Sequence, residues 1–215
     1  MVEVKVEMQM QSYIAHPFWP ARNRVIEIEK KSGVNRQKSD DKRLAALKAE
    51  CQRQGYTYEQ YEQFKIEAAR QWYRSNGPKS KIMIPRHQIA GALVQAIATS
   101  PKALRGEFDK DNFRALVQIG DFLTDRTEPS GIFGRFVKLE GSNQRSWQEN
   151  EYIGKYLDNG TEFKAAGVIA FAEPKSEDTI KALLTKAVET TGVGAARKMG
   201  FGRGKIESWK VQGKA

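Results

Sequence analysis

Hydrophobic and polar positions alternate strictly at the start of the chain. The sequence of residues 2–10 is VEVKVEMQM, with a valine or a methionine at every second position. A period of two places those side chains on one face of an extended segment, so residues 2–10 predict a half-buried strand. Residues 163–171 show a similar alternation, and residues 205–211 predict the last strand of the chain.

Apolar residues recur at helical spacing in four other segments. Residues 40–54 and 57–74 predict two helices separated by Gly55, and a third helix follows Pro85. Residues 180–188 carry the apolar face of a fourth helix. Apolar side chains spaced three and four residues apart share one side of a helix, so each of these segments is expected to cover a core.

The order of these elements predicts the fold. Residues 113–123 and 131–141 predict further strands, and residues 121–160 predict a projecting, thumb-like hairpin segment outside the core layers. Strand, helix, strands, helix and strand in this order are typical of a ferredoxin-like or RRM-like β-α-β-β-α-β fold of the α+β class. We therefore expect an antiparallel sheet with helices on one face, in a single domain over residues 1–215, with a helical insertion at 31–81.

The stretch between the last predicted helix and the last strand is rich in glycine and in positive charge. Residues 192–205, GVGAARKMGFGRGK, hold five glycines and four basic side chains in fourteen positions. Glycine lets backbone N–H groups approach a ligand closely, and arginine and lysine supply charge for phosphates. The stretch therefore favours an anionic ligand, and the alternative is an ordinary surface loop.

Two nucleotide-binding motifs do not fit this stretch. A dinucleotide fingerprint requires a glycine or alanine where Arg197 stands, and it follows a strand, whereas here a predicted helix comes first. A Walker loop requires serine or threonine after its Gly-Lys pair, but Ile206 follows Gly204 and Lys205.

Composition narrows the partners further. The chain has 36 lysines and arginines against 26 aspartates and glutamates, a net charge of +10, which favours nucleic acid or another acidic surface. Cys51 is the only cysteine and there are two histidines, so we expect no disulfide, no cysteine- or histidine-based metal site and no cofactor. No apolar run reaches membrane-spanning length and the start has no signal-peptide pattern, so we expect a soluble cytoplasmic protein.

The glycine-rich stretch resembles a motif of the RAMP superfamily, the repeat-associated proteins of CRISPR systems. In that motif, G-x-G, a basic spacer and G-aromatic-G follow the second helix of a ferredoxin-like fold. The segment IPRHQIAGALVQAI adds to the resemblance, because RAMP proteins often carry IP, a short polar turn and then a glycine-containing helix after the first strand. The resemblance covers residues 1–18 and about 82–211 in outline, and residues 19–81 match no part of the family.

This resemblance implies that the loop binds the backbone of CRISPR RNA. Three roles follow from it: the repeated backbone subunit (Cas seven), the subunit that caps the 5′ handle (Cas five) and the endoribonuclease that cleaves the repeat (Cas six). The projecting segment favours a structural subunit of an RNA-guided effector ribonucleoprotein in antiviral defence, with other effector subunits as partners. The expected RNA-binding residues are Arg86, Gly192, Gly194, Arg197, Lys198, Gly200, Phe201, Gly202, Arg203 and Lys205.

The endoribonuclease role would need a general base and a general acid, which are commonly histidines. His87, at the start of a predicted helix whose dipole lowers its pKa, is the better candidate, and His16 is the other. Some backbone subunits of the family cut target RNA with an aspartate after the first strand, but Asp40 and Asp41 do not clearly match that position. The sequence favours a non-catalytic role. The remaining alternative is a non-CRISPR or phage-encoded RNA-binding module of the same fold.

Overall fold

A computed structural model of the chain describes residues 1–15, 19–68, 72–77, 79–138, 145–173 and 176–212. The chain divides into two compact units. The larger unit contains residues 1–15 and 72–215, and the smaller unit contains residues 16–71. None of the described helices is long and apolar enough to cross a membrane.

The smaller unit is helical. It contains α1 (Trp19–Ser32), a 3₁₀ turn (Val34–Arg36), α2 (Asp40–Arg53) and α3 (Tyr58–Ala68). Its core is formed by four buried residues, Ile28, Leu47, Cys51 and Tyr61. The Tyr61 hydroxyl also donates a hydrogen bond of 2.9 Å to the Glu29 carboxylate, which fixes α3 against α1.

The sequence prediction differs from this unit at both ends. Helix α1 was not predicted, because the prolines around its start break the apolar pattern, yet Pro20 lies in its first turn, where proline is tolerated. The helix predicted at 57–74 is too long: α3 ends at Ala68, and Tyr73–Arg74 forms a strand that pairs with Ile82–Met83. The compact unit spans residues 16–71 and overlaps the predicted insertion, residues 31–81, over residues 31–71.

Strands of the larger unit form two sheets. In chain order they are β1 (Val2–Met10), β2 (Ser12–Tyr13), β3 (Tyr73–Arg74), β4 (Ile82–Ile84), β5 (Val117–Ile119), β6 (Phe122–Thr124), β7 (Gly131–Lys138), β8 (Arg145–Gly154), β9 (Phe163–Phe171) and β10 (Gly204–Gln212). Among the described residues, the main sheet has the order β10-β1-β9-β6-β4-β3, with β5 also paired to β9. The second sheet has the order β2-β8-β7.

The main sheet confirms the predicted ferredoxin-like fold. Strand β1 pairs antiparallel with β10 on one side and with β9 on the other, and β9 pairs antiparallel with β5 and β6. When β5 and β6 are taken as one interrupted strand, the strands of the β-α-β-β-α-β unit lie in the order 4-1-3-2. The two crossover helices are α4 (Arg86–Ala98) and α7 (Glu177–Lys186), and two shorter helices, α5 (Lys102–Arg105) and α6 (Phe113–Leu116), lie between them in the chain.

One face of the sheet forms the core with α4 and α7. The alternation predicted for β1 is present, since Val4, Val6, Met8 and Met10 are fully buried. They belong to one apolar cluster with residues of both helices, such as Leu93 of α4. A π-helical turn, Ala187–Thr191, continues α7 and leads directly into the glycine-rich stretch.

The segment predicted as one strand at 113–123 is divided into three elements. Residues Phe113–Leu116 form α6, and β5 and β6 are separated by Gly120 and Asp121. The Gly120 N–H donates to the Val168 carbonyl at 2.8 Å, and the Asp121 carboxylate accepts the Arg86 N–H at 2.7 Å. The interruption between β5 and β6 therefore positions Asp121, which fixes the start of α4.

A β-hairpin lies within the segment predicted to project. Strands β7 and β8 pair antiparallel over their described length, and β2 pairs with β8 at Ser12 and Tyr13. The sequence placed this segment outside the core, but the end of the hairpin nearest β2 is buried through Phe133, Tyr152 and Ile153. Ile132 at the same end is exposed, and so are Phe136 and Trp147 farther along the hairpin.

Candidate nucleic-acid interface

The glycine-rich stretch forms a loop, residues 192–204, that depends on left-handed backbone conformations. Gly192, Gly194, Gly200 and Gly202 have φ angles of 78°, 83°, 92° and 79°. Residues with a Cβ rarely adopt such angles, so each of these positions favours glycine. The stretch therefore follows a path that few other sequences could adopt.

Gly200 differs from the other three glycines in the space that surrounds it. A Cβ at Gly194 would run into the Ile14 carbonyl oxygen, and a Cβ at Gly202 would run into the Val193 carbonyl oxygen. At Gly192 the Phe201 carbonyl oxygen would lie 2.8 Å away, but a Cβ at Gly200 would meet nothing within 4 Å. Close contacts within the protein explain the first three, whereas Gly200 lies at the open surface of the loop.

Backbone hydrogen bonds fix the loop to the segment that follows β1. The Gly202 N–H donates to the Ser12 carbonyl at 2.7 Å, and the Ala195 N–H donates to the Ile14 carbonyl at 2.8 Å. In the opposite direction, the Gln11 N–H donates to the Arg203 carbonyl at 2.8 Å. A loop held in this way loses little conformational entropy when a ligand binds to it.

The segment that supports the loop is itself held by a buried hydrogen-bonded network. The Tyr13 hydroxyl donates to the Gln88 side-chain oxygen of α4 at 2.7 Å, and burial raises the pKa of Tyr13 well above its usual value, so the donor stays protonated. The Tyr13 and Trp72 rings lie 6.1 Å apart, and the Trp72 indole N–H donates to Glu151 of the hairpin at 2.6 Å. The loop thus rests on residues from β2, α4 and β8.

Phe201 connects the loop to the hairpin. Its ring is fully buried and stacks on Tyr156 at a centroid distance of 4.8 Å. Phe133 and Tyr152 of the hairpin lie 4.9 Å and 5.9 Å from it. The sequence placed Phe201 among the RNA-binding residues, but the structure places its ring in this aromatic cluster, away from solvent.

Charged side chains surround the open part of the loop. Lys198, Arg203 and Lys205 are exposed, and the half-buried Arg197 donates to the Gln95 side-chain oxygen of α4 at 2.6 Å. The Lys205 amine lies 2.9 Å from Glu207, and the hydrogen bond and charge of that carboxylate raise the pKa of Lys205. Within the described ranges, Lys198 and Arg203 form no ion pair. The unneutralised charge of the loop therefore comes from residues 197, 198 and 203.

Arg86 and His87 lie elsewhere, at the start of α4. They line a cleft of about 640 Å³ beside β5, together with Arg114 and with Glu3 at the beginning of β1. The loop contacts Gln11, after the other end of β1, so the structure does not bring Arg86 together with the loop residues. Arg114 carries no local sequence signal, because it lies in a segment whose alternation predicted only a strand.

Of the residues considered for catalysis, the structure describes His87, Asp40 and Asp41. Partial burial lowers the pKa of His87, with Asp121 opposing and Arg86 adding to the shift, and its ring lies edge-on to Tyr73 at 5.5 Å. His16 lies outside the described residues. Asp40 and Asp41 occupy the first turn of α2 in the smaller unit, where carboxylates interact favourably with the helix dipole and stabilise the helix. No group of three or more potential metal-ligating His, Cys, Asp or Glu side chains occurs in the part of the chain that the structure describes.

Comparisons with known proteins find similarity at the level of the fold. No protein-family model and no curated protein matches the sequence. The fold is similar to a chain of a cryo-EM structure of the Type III-B Cmr-beta bound to cognate target RNA, with a TM-score of 0.49 and 11% sequence identity. The likeness covers 98% of this chain, which spans about 60% of the length of that chain.

Proposed function

We propose that this protein is a CRISPR RNA-binding structural subunit of an RNA-guided effector ribonucleoprotein, and that the loop at 192–204 contacts the RNA backbone. One observation carries the proposal: an open left-handed glycine, Gly200, lies between exposed and unneutralised cations on a loop that the protein holds rigidly. The CRISPR context rests on the resemblance of the loop motif and of the segment around α4 to the RAMP superfamily.

The turn around Gly200 places charge beside a backbone segment without a side chain. The Met199 and Gly200 N–H groups donate within the turn, to the Ala196 and Arg197 carbonyls, so the turn is held rigidly and Gly200 lets a phosphate approach it closely. Lys198 and Arg203 flank this turn with charge. Contacts to phosphates carry no base information, so binding to single-stranded RNA is expected to depend little on sequence.

The hairpin supports a structural role. Phe136 and Trp147 form an exposed aromatic pair with ring centroids 5.1 Å apart, and Ile132 is 66% exposed on the same hairpin. Aromatic side chains stack on unpaired bases without regard to their identity. A rigid loop for phosphates and an aromatic hairpin joined to it through Phe201 suit a backbone or capping subunit that holds an RNA strand.

The salt dependence of RNA binding tests whether the cations of the loop contact phosphates. We expect a log–log slope of about −2 for a labelled, unstructured RNA, because residues 197, 198 and 203 each neutralise a phosphate at about −0.7 per contact. Lys205 is left out because Glu207 already neutralises it. Fluorescence anisotropy between low and moderate potassium chloride measures the slope.

Matched variants identify which cations contribute. The double variant Lys198→Gln/Arg203→Gln is expected to reduce the slope to about −0.7. Lys210→Gln, which removes an exposed charge from β10, is the control and should leave the slope close to that of the wild type. A double variant that keeps the wild-type slope would contradict the proposed interface.

A substitution at Gly200 tests the backbone contact. Gly200→Ala is expected to weaken RNA binding about tenfold, a loss of about 1.4 kcal/mol, because the left-handed turn shifts and the added methyl group keeps the phosphate away from the loop. The matched control is Gly55→Ala in the smaller unit, where φ is 78° and a Cβ also meets nothing within 4 Å. Both variants should lose similar stability, about 1–2 kcal/mol, in urea unfolding. Equal RNA affinity in the two variants would refute a role for Gly200.

A further inference from the structure

The cleft beside β5 has the features of a second ligand site. Its volume of about 640 Å³ lies within the range of small-molecule sites, roughly 300–1,000 Å³. Strand β5 pairs with β9 along one edge, and no strand of the described ranges pairs with its other edge. The cleft follows that edge, between the start of α4 and the open face of the sheet.

One part of the cleft is apolar and formed mostly by small side chains. Val168 and Ala170 of β9 lie next to each other on the open face, and Gln118 of β5 pairs with Ala170 there. Phe113 of α6 and Ile119 of β5 also line the cleft, and both pack into the core. A shallow apolar surface of this kind matches a planar ring, which gains from burial without needing a deep cavity.

The opposite part of the cleft is cationic. Arg86 and Arg114 are exposed, and neither forms an ion pair with another residue that the structure describes. The Asp121 carboxylate already occupies the N-terminus of α4, so the positive charge of the cleft comes from the two guanidinium groups rather than from the helix end. Guanidinium groups bind phosphate through paired N–H donors.

Besides His87, Glu3 and Gln118 contribute polar side chains to the lining. Glu3 of β1 supplies a carboxylate, which only accepts hydrogen bonds at neutral pH, and Gln118 of β5 supplies an amide that both donates and accepts. A carboxylate facing a ring favours an exocyclic amino group and disfavours a carbonyl oxygen at the same position. The polar lining therefore favours adenine or cytosine over uracil.

We propose that this cleft binds a nucleoside monophosphate whose base carries an exocyclic amino group, with the base on Val168 and Ala170 and the phosphate at Arg86 and Arg114. The site is separate from the loop that contacts the RNA backbone, and it does not depend on the proposed function. A free nucleotide and the phosphorylated terminal nucleotide of an RNA strand present this same chemistry.

Isothermal titration of the full-length protein with AMP tests the proposal, with UMP, adenosine and inorganic phosphate as comparison probes. We expect AMP to bind at least tenfold more tightly than each of the three, because each lacks one matching group. Arg114→Gln should weaken AMP binding about tenfold or more, whereas Lys110→Gln, a charge-removing control outside the cleft, should not. Glu3→Gln should reduce the preference for AMP over UMP.

Two results would overturn the proposal: adenosine that binds as tightly as AMP, or Arg114→Gln with wild-type affinity and an unchanged melting temperature. The source of the nucleotide is identified by displacement of AMP from the wild-type protein with two RNAs that differ only at the 5′ end. A 5′-phosphorylated adenine-ended RNA that displaces AMP, when its 5′-hydroxyl counterpart does not, indicates a strand end. If neither displaces AMP, the site takes the free nucleotide.

Discussion

Replacing Phe201 with alanine is expected to lower the free energy of unfolding of the larger unit by about 3–5 kcal/mol. The Phe201 ring is fully buried and lies within 6 Å of three other rings, two of which belong to the hairpin. Its removal leaves a cavity between the loop and the hairpin that backbone hydrogen bonds on both sides prevent from closing. Urea unfolding followed by tryptophan fluorescence measures this loss, since Trp72, Trp147 and Trp209 belong to the larger unit.

The control for Phe201 lies on the same hairpin. Phe136 is 65% exposed, so Phe136→Ala should change the free energy of unfolding by no more than about 0.5 kcal/mol. A Phe201→Ala variant that unfolds at the same urea concentration as Phe136→Ala would show that the aromatic cluster does not hold the loop to the hairpin.

A conservative variant separates support of the loop from direct stacking on RNA. Phe201→Leu keeps most of the apolar volume but removes the aromatic ring, so it should retain the loop conformation and most RNA affinity. If Phe201 instead stacked on a base, Phe201→Leu and Phe201→Ala would both lose affinity without a matching loss of stability. The two variants thus decide between the role expected from the sequence and the role its burial supports.

The sequence predicted the elements in which one hydrophobic period, that of a strand or of a helix, continues over many residues. Strand β1 alternates over nine residues and pairs on both sides, so its pattern reflects its burial directly. Strands β3 to β6 have two or three residues each, too few for a period, and their conformation depends on pairing with other strands. For that reason the sequence pattern places Tyr73 and Arg74 at the end of a helix.

The candidate loop was visible because its glycines and cations are adjacent in the sequence, but the role of each residue was not. Gly194 is required by the Ile14 carbonyl oxygen, which lies 180 positions earlier in the chain, and Phe201 is buried by a hairpin whose contacts no local pattern reveals. The pairing of Lys205 with Glu207 did have a signal, since residues two apart in a strand share a face.

Gly202 gives the second large effect, because its surroundings leave no room for a side chain. A Cβ at this position would run into the Val193 carbonyl oxygen and would also lie too close to the Val193 nitrogen. The Val193 N–H donates to the Gly202 carbonyl at 2.8 Å, so the two backbones cannot separate without breaking that hydrogen bond. The Gly202 N–H bond to Ser12 would be disturbed as well.

Gly202→Ala is therefore expected to destabilise the larger unit by about 3 kcal/mol or more, which combines about 1–2 kcal/mol for a left-handed alanine with about 1 kcal/mol for each hydrogen bond lost. Gly200→Ala is the matched control in the same loop, because its φ of 92° carries a similar backbone penalty but its Cβ meets nothing within 4 Å. In urea unfolding the free energies of unfolding of the two variants should differ by the cost of the Val193 contact, about 1–2 kcal/mol.

Both variants should bind RNA more weakly. Gly202→Ala loses the loop conformation, whereas Gly200→Ala changes only the exposed turn. Equal stability of the two variants would mean that Gly202 is not held against Val193, and the rigid loop on which the proposed interface depends would be refuted.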